Sequence, residues 1–210
     1  MASDLIFYTH PATRGRIVRW MLEEVGANYE TEAIDLTDSQ ARQRLAAINP
    51  MAKLPAIVHR GTAITETAAI CAYLADAFPE AGLAPPPAER AAYYRWLFFA
   101  AGPVEAAITN RALGVEVPPE RRPMVGYGSY DRLVEVLEQA VSATPFVTGD
   151  RFTAADVYVG SQIGFGTGFG MLPERPAFTA YLARVNDRPA ARRAREIDDT
   201  LLTTIPPLRG

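Results

Sequence analysis

Three short segments combine polar side chains with backbone that a helix or strand leaves unpaired. The first runs from Tyr8 to Arg16, where Thr13 stands just ahead of a helical pattern. A helix N-terminus carries unpaired N–H groups and a partial positive charge, so an anion near Thr13 would meet a hydroxyl donor and the helix end together. A thiol placed there would lose its proton more easily. With an ordinary pKa of about 8.5 it is only about 3% thiolate at pH 7, and a fall of about two units, about 2.7 kcal/mol, makes it mostly thiolate. Thr13 as a plain helix cap is the structural alternative.

The second segment is Asn49-Pro50-Met51-Ala52-Lys53-Leu54-Pro55-Ala56-Ile57. Pro55 directly precedes a buried strand, a position suited to an edge or to a cis bond. A cis Leu54–Pro55 bond turns the Leu54 N–H and C=O toward a cleft, where an extended peptide can pair with them as a strand does. An ordinary strand-start proline is the alternative. The third segment, Thr65-Glu66-Thr67-Ala68-Ala69-Ile70, opens a helix straight after a strand. Its unpaired N–H groups suit a carboxylate, the Thr67 hydroxyl adds a donor, and Glu66 suits an ammonium group. Here the structural alternative is capping by Thr65.

The elements that must position these segments follow from periodicity. Residues 4–9 read as a buried strand, Pro11 bars a helix across the next loop, and a helix starts near Arg14 with Val18, Met21, Leu22 and Val25 on one face. Gly26 fits its end. Residues 29–36 read as a strand, 39–48 as a short helix, 56–59 and 62–65 as two strands about the Arg60-Gly61 turn, and a helix runs from about Glu66 to Pro79. Pro85-Pro86-Pro87 then marks a boundary. Beyond it the pattern is helical: a long helix over 88–113, another over 123–143, a third from Thr153, and shorter ones near 177–186 and 189–197. In Gly149 to Asp156, Thr153 and Asp156 have capping-box spacing with Phe152 and Val157 as a staple, a structural role only.

Composition narrows the functional classes. Net charge is -3, with 49% hydrophobic and 21% charged residues, so disorder is not the default. The densest basic run, Arg188 to Arg195, adjoins Glu196, Asp198 and Asp199 and reads as a solvated helix face rather than a nucleic-acid surface. No apolar run suits a signal peptide or a membrane span. Two histidines and one cysteine, Cys71, are too few for an ordinary zinc site, and Cys71 on the third helix is expected to be buried and inert. The expected compartment is the cytoplasm. Residues 164–170, Gly-Phe-Gly-Thr-Gly-Phe-Gly, do not fit a nucleotide-binding glycine loop and are expected to form a closely packed or broken helix.

Taken together, Lys-Leu-Pro before the third strand, Glu-Thr-Ala-Ala-Ile at the third helix, the strand–loop–helix start and Gly-Asp…Phe-Thr-Ala-Ala-Asp resemble glutathione S-transferases over nearly the whole chain. The resemblance implies an α/β domain of thioredoxin-like fold over 1–80, a Pro-rich linker over 81–87 and an all-α domain over 88–210 that forms the second-substrate pocket. It implies a homodimer, glutathione as co-substrate, no metal, and a small hydrophobic electrophile as the other substrate, as in detoxification. Leu54 resembles the residue whose main chain pairs with the cysteinyl unit of glutathione, and Pro55 the cis-proline. Glu66 and Thr67 resemble the pair that holds the γ-glutamyl end, and Lys53 and Gln40 fall near the glycyl end. Thr13 falls where serine-type members keep the thiolate-holding hydroxyl, in Thr-Arg-Gly-Arg where Ser-Arg is more usual. Tyr8 is the rival, with backbone N–H groups and His10 as other donors. Phe98, Phe99, Phe165 and Phe169 are the aromatic candidates for the second-substrate pocket. A glutathione-dependent isomerase, dehalogenase or peroxidase, or a non-catalytic glutathione-binding protein, are the alternatives.

Overall fold

The computed structural model describes residues 3–207. The chain begins with β1 (Leu5–Thr9), whose side chains alternate between fully buried Leu5, Phe7 and Thr9 and half-buried Ile6 and Tyr8. Next come α1 (Gly15–Val25), closed by left-handed Gly26 at φ 64, and β2 (Glu30–Ala33). Then α2 (Ser39–Ile48) starts at Asp38, whose carboxylate accepts the Gln40 N–H at 2.9 Å. β3 (Ala56–His59), β4 (Thr62–Ile64) and α3 (Thr67–Ala77) complete the α/β part. The four strands lie in the order β2-β1-β3-β4, with β1 and β2 parallel and β3 antiparallel to both β1 and β4. β2 is shorter than the expected 29–36. Its residues are exposed, and Ile34 just beyond it turns into a small core with Ala41 and Leu45 of α2.

The helical part differs from the sequence reading in two places. The expected helix over 88–113 is divided into α4 (Ala91–Phe99) and α5 (Glu105–Ala112) by a wide turn at Ala100–Val104. Pro103 lies in that turn; it has no N–H to continue the ladder, which loosens the turn around it. The helix expected from 123 begins at Tyr130 as α6 (Tyr130–Ala143). Residues 119–124 take a tighter 3₁₀ turn, left-handed Gly128 at φ 65 reverses the chain, and Ser129 caps the new start by accepting the Arg132 N–H at 3.4 Å.

The remaining helices are α7 (Ala154–Gly168), α8 (Pro176–Asn186) and α9 (Pro189–Leu202). Thr153 and Asp156 form the capping box at the start of α7. Asp156 is fully buried and accepts from the Val147 N–H, the Thr153 N–H, the Thr153 hydroxyl and the Tyr181 hydroxyl at 2.8, 2.9, 3.1 and 2.8 Å. The glycine run stays helical as far as Gly168. Its Gly166 carbonyl then takes the N–H groups of both Met171 and Leu172 at 2.7 Å, and a Cβ on Gly166 would meet the Leu172 side chain at 2.5 Å.

The chain divides into two compact units, one of residues up to 81 together with those from 188, the other of residues 82–187. Residues 188–207, read from sequence as part of the helical domain, therefore group with the α/β part. The reason is electrostatic as well as apolar. Arg19 of α1 and Asp198 of α9 are both buried and meet at 3.0 Å, with the guanidinium also 4.9 Å from the centre of the Phe7 ring. Around them Arg16 meets Asp199 at 2.7 Å, Arg193 meets Glu23 at 3.2 Å, and Arg188 grips both oxygens of Glu24 at 2.7 Å.

Candidate functional site

The strand register gathers three of the sequence-marked segments, and Gln40 with them, at one end of the sheet. β1 runs antiparallel to β3 with Tyr8 opposite Ala56, so the loop after β1 and the segment before β3 leave from the same end. β4 is antiparallel to β3 with Ile64 opposite Ile57, which brings Thr65 to Thr67 to that end too. Parallel β2 delivers the chain toward Asp38 and Gln40 there as well.

The segment before β3 is built by Asn49. Its buried side chain donates to the Lys53 carbonyl at 2.8 Å and accepts the Met51 N–H at 3.1 Å, while its own carbonyl takes the Ala52 N–H at 2.7 Å. Ala52 adopts a left-handed φ of 50 to close the turn. The chain then passes through a cis Leu54–Pro55 bond into β3. Among the described residues, neither the N–H nor the C=O of Leu54 has a hydrogen-bond partner. Both remain available to an added strand. Sequence reasoning missed Asn49; its signal was Asn-Pro ahead of a turn, where a short amide pairs with its own backbone.

Glu66 sits at φ 66, an uncommon conformation for a residue with a side chain, and its carbonyl takes the Ile70 N–H at 2.8 Å. Its carboxylate is exposed, and among the described residues it forms no ion pair. Thr67 is the first residue of α3, is nearly buried, and gives its hydroxyl to none of the described residues. A carboxylate here would meet the α3 N–H groups and that hydroxyl; an ammonium would meet Glu66. Lys53 and Gln40 are exposed, each with its side chain in solvent.

The loop after β1 is closed on itself. The Thr13 hydroxyl donates to the His10 carbonyl at 2.7 Å and accepts the Gly15 N–H at 3.1 Å. The N–H of Ala12 goes to His10 Nδ1 at 3.1 Å, that of Thr13 to the His10 carbonyl at 3.0 Å, and that of Arg16 to the Thr13 carbonyl at 3.3 Å. The buried His10 ring thus accepts at Nδ1, so its proton lies on Nε2 and faces the Pro206 carbonyl at 3.0 Å. Thr13 fills the cap role; as a thiolate donor it must first turn its proton away from His10. Gly15 is obligatory beneath it, since a Cβ there would lie 2.0 Å from the Thr9 hydroxyl oxygen. The Tyr8 phenol lies on the α2 face beside Ile34, Ala41 and Leu45, and burial, then Glu32, raises its pKa, opposite to an activated phenol.

Cys71 is fully buried in α3, and burial pushes its thiol up to about 12, so it is inert in the folded chain. The four aromatic candidates fall in the second unit and are not gathered. Phe98 packs near Tyr94 and Phe99 meets the edge of Trp96, while Phe165 and Phe169 stack on each other at 6.2 Å. Of the four, Phe169 alone lines the cavity of about 640 Å³ in that unit.

Comparison with known proteins bears on the fold. Residues 3–76 match the family described as glutathione S-transferase, N-terminal domain. Glutathione S-transferase GstA of Escherichia coli O157:H7 is 26% identical over 179 residues, covering 82% of this chain and 88% of that protein. A probable maleylacetoacetate isomerase of Caenorhabditis elegans is 40% identical over 68 residues, 32% of each chain. The crystal structure of a glutathione transferase from Methylococcus capsulatus superposes with a TM-score of 0.76 at 26% identity, covering 93% of this chain and 99% of that one. The fold is thus a thioredoxin-like α/β domain followed by a helical domain, as in glutathione S-transferases. Residues 3–76 thus match the glutathione S-transferase N-terminal domain, and the chain is similar to glutathione S-transferases along nearly its whole length.

Proposed function

We propose that the chain is a glutathione transferase. It binds glutathione at the end of its sheet, stabilises the thiolate, and directs it at a small hydrophobic electrophile to form a thioether. The observation that carries this reading is the pair of unpartnered Leu54 main-chain groups beside Pro55, at the same end of the sheet as the α3 N-terminus. The cysteinyl backbone of glutathione pairs with Leu54 as an added strand. Its γ-glutamyl carboxylate takes the α3 N–H groups and the Thr67 hydroxyl, and its ammonium takes Glu66. Lys53 and Gln40 serve the glycyl carboxylate. Thr13 turns its hydroxyl from the His10 carbonyl to the thiolate once the anion arrives, since a charged acceptor draws a donor more strongly than a carbonyl does. The electrophile in this reading is held by the helical unit, with Phe98, Phe99, Phe165 and Phe169 as the aromatic candidates.

A glutathione-dependent isomerase is the second reading, favoured by the 40% identity to a protein named as a probable maleylacetoacetate isomerase. It uses the same thiolate but returns glutathione unchanged. The two separate by product: a transferase consumes glutathione in proportion to product, an isomerase does not. The resemblance also carries a homodimer in the cytoplasm, for which light scattering on the purified chain is the test of assembly.

The first experiment is a glutathione titration followed at about 240 nm, where thiolate absorbs, between about pH 5 and 9. A bound thiol titrating well below about 8.5 is the expected result. Binding with an unshifted thiol would turn the reading to a non-catalytic glutathione-binding protein, and no binding would refute it.

A further inference from the structure

The second unit holds a cavity of about 640 Å³, inside the range of about 300–1,000 Å³ that small-molecule sites occupy. It lies between the end of α5, the loop that follows, the first turn of α6 and the segment after α7. Its walls are tied together from within. Asn110 donates to the Tyr127 hydroxyl at 2.9 Å, and Tyr130 donates to the Met171 carbonyl at 2.7 Å. The second bond leaves the Tyr130 ring under Arg111, whose guanidinium carbon lies 4.5 Å from the ring centre.

Two guanidinium groups, Arg111 and Arg122, line this one cavity. Two carboxylates line it as well, Glu116 and Asp131, yet among the described residues no ion pair joins either of them to Arg111 or Arg122. Elsewhere this chain pairs its arginines readily, as Arg16, Arg19, Arg188 and Arg193 do. A guanidinium stacked on a ring keeps its N–H edge for a planar, two-oxygen partner, the geometry a carboxylate matches. The first turn of α6 turns its positive end to the same space. Beside these charges Phe169, Tyr127 and Met171 line the cavity, and such side chains suit a flat apolar body.

We propose that this cavity binds a small aromatic carboxylate, its ring against Phe169 and Met171 and its two oxygens on Arg111, with Arg122 as the second cation. Binding itself needs no glutathione, because every lining residue belongs to the second unit.

The test is calorimetric titration of the full chain, without glutathione, with 1-naphthoate and with 1-naphthalenemethanol, which keeps the rings and lacks the charge. Naphthoate is expected to bind once per chain and about tenfold tighter than the alcohol or more, the effect of one charge-assisted pair. Arg111→Gln is expected to remove that advantage while leaving alcohol binding unchanged, and Phe169→Ser to weaken both ligands. Arg122→Gln supplies a second reading on a residue that touches no described ring and so does not depend on the stack surviving. Equal affinities for acid and alcohol, no binding of the acid at millimolar concentration, or acid binding untouched by both arginine variants would overturn the proposal. Because glutathione is absent throughout, failure here and failure of the transferase reading are distinguishable.

Discussion

Replacing Thr13 by alanine measures how much of the thiolate stabilisation comes from one hydroxyl. In the unliganded chain that hydroxyl is already engaged, donating to the His10 carbonyl at 2.7 Å. Turning it to a thiolate exchanges a neutral hydrogen bond of about 0.5–1.5 kcal/mol for a charged one of about 1.5–3 kcal/mol. The net gain is about 1.4 kcal/mol, equal to about one pKa unit. Thr13→Ala should therefore raise the pKa of bound glutathione by about one unit and lower kcat/KM about tenfold at a pH below that pKa. The loss should shrink as pH rises past it, because both proteins then hold the thiolate. Thr13→Ser keeps the hydroxyl and should titrate like the parent. The alanine variant should also lose about 1 kcal/mol of stability, since the Gly15 N–H at 3.1 Å loses its cap. The assay is thiolate absorbance at about 240 nm together with the pH dependence of conjugation rate. An alanine variant with unchanged pKa and rate would refute the role of Thr13. A shift of about three units would refute the exchange arithmetic, because one hydroxyl giving up an existing bond cannot supply it.

Asp156→Ala strips the acceptor from four donors in a buried cluster and should lower stability in urea by about 3 kcal/mol or more, with Asp156→Asn costing less; equal costs would contradict the four-bond account. Burial outweighs those donors and raises the Asp156 pKa above the ordinary 3.8, so its contribution to stability is fully present below 3.8 and fades as pH rises through the raised value. The stability of Asp156→Asn relative to the parent should accordingly improve as pH rises from below 3.8, and a trend in the other direction would reverse the sign of the shift. Gly15→Ala should cost about 1–3 kcal/mol through the 2.0 Å approach to Thr9, and adding Thr9→Ala should recover part of that in a double-mutant cycle; strict additivity would show that the two do not meet. Cys71 should stay unlabelled by a thiol reagent in the native chain at pH 8 and react at once in denaturant, since burial holds its thiol near 12; rapid native labelling would contradict that burial.

The strand and helix periods in the first 80 residues were enough to read β1, α1, α2, β3, β4 and α3 nearly to their ends, because each buries one regular face and is bounded by a loop residue. The residues that the resemblance assigned, Leu54, Pro55, Glu66, Thr67 and Thr13, stand in loops or at the start of α3, which strand register brings to one end of the sheet. What the chain does with them was less legible. That Thr13 is engaged with His10 depends on how a five-residue loop closes, and no periodicity records it. The wide turn at Ala100–Val104 was missed because apolar spacing continues straight through Pro103. The late start of α6 was missed because the helix was read from 123 straight through Gly126 and Gly128, whereas left-handed Gly128 reverses the chain and Ser129 caps the true start. The return of α9 was hidden for a different reason. Its basic run reads as a solvated face, and only three-dimensional pairing reveals Asp198 as the partner of a buried arginine far away in sequence.

That long-range pair has a consequence for biosynthesis. Arg19 and Asp198 are 179 residues apart in sequence. At a translation rate of about 5–20 residues per second, Arg19 is made about 10–35 s before its counter-ion. Through that interval β1, α1 and the remaining strands can collapse, but the guanidinium that must be buried against Phe7 has no carboxylate to bury it with. The nascent N-terminal part therefore waits, open along α1, until Asp198 and the rest of α9 appear. Ribosome-bound chains halted before residue 198 should be cut by protease in α1, and chains halted far enough beyond α9 for it to clear the exit tunnel should not. An order of synthesis that runs from one end to the other thus yields an order of folding that finishes where it began.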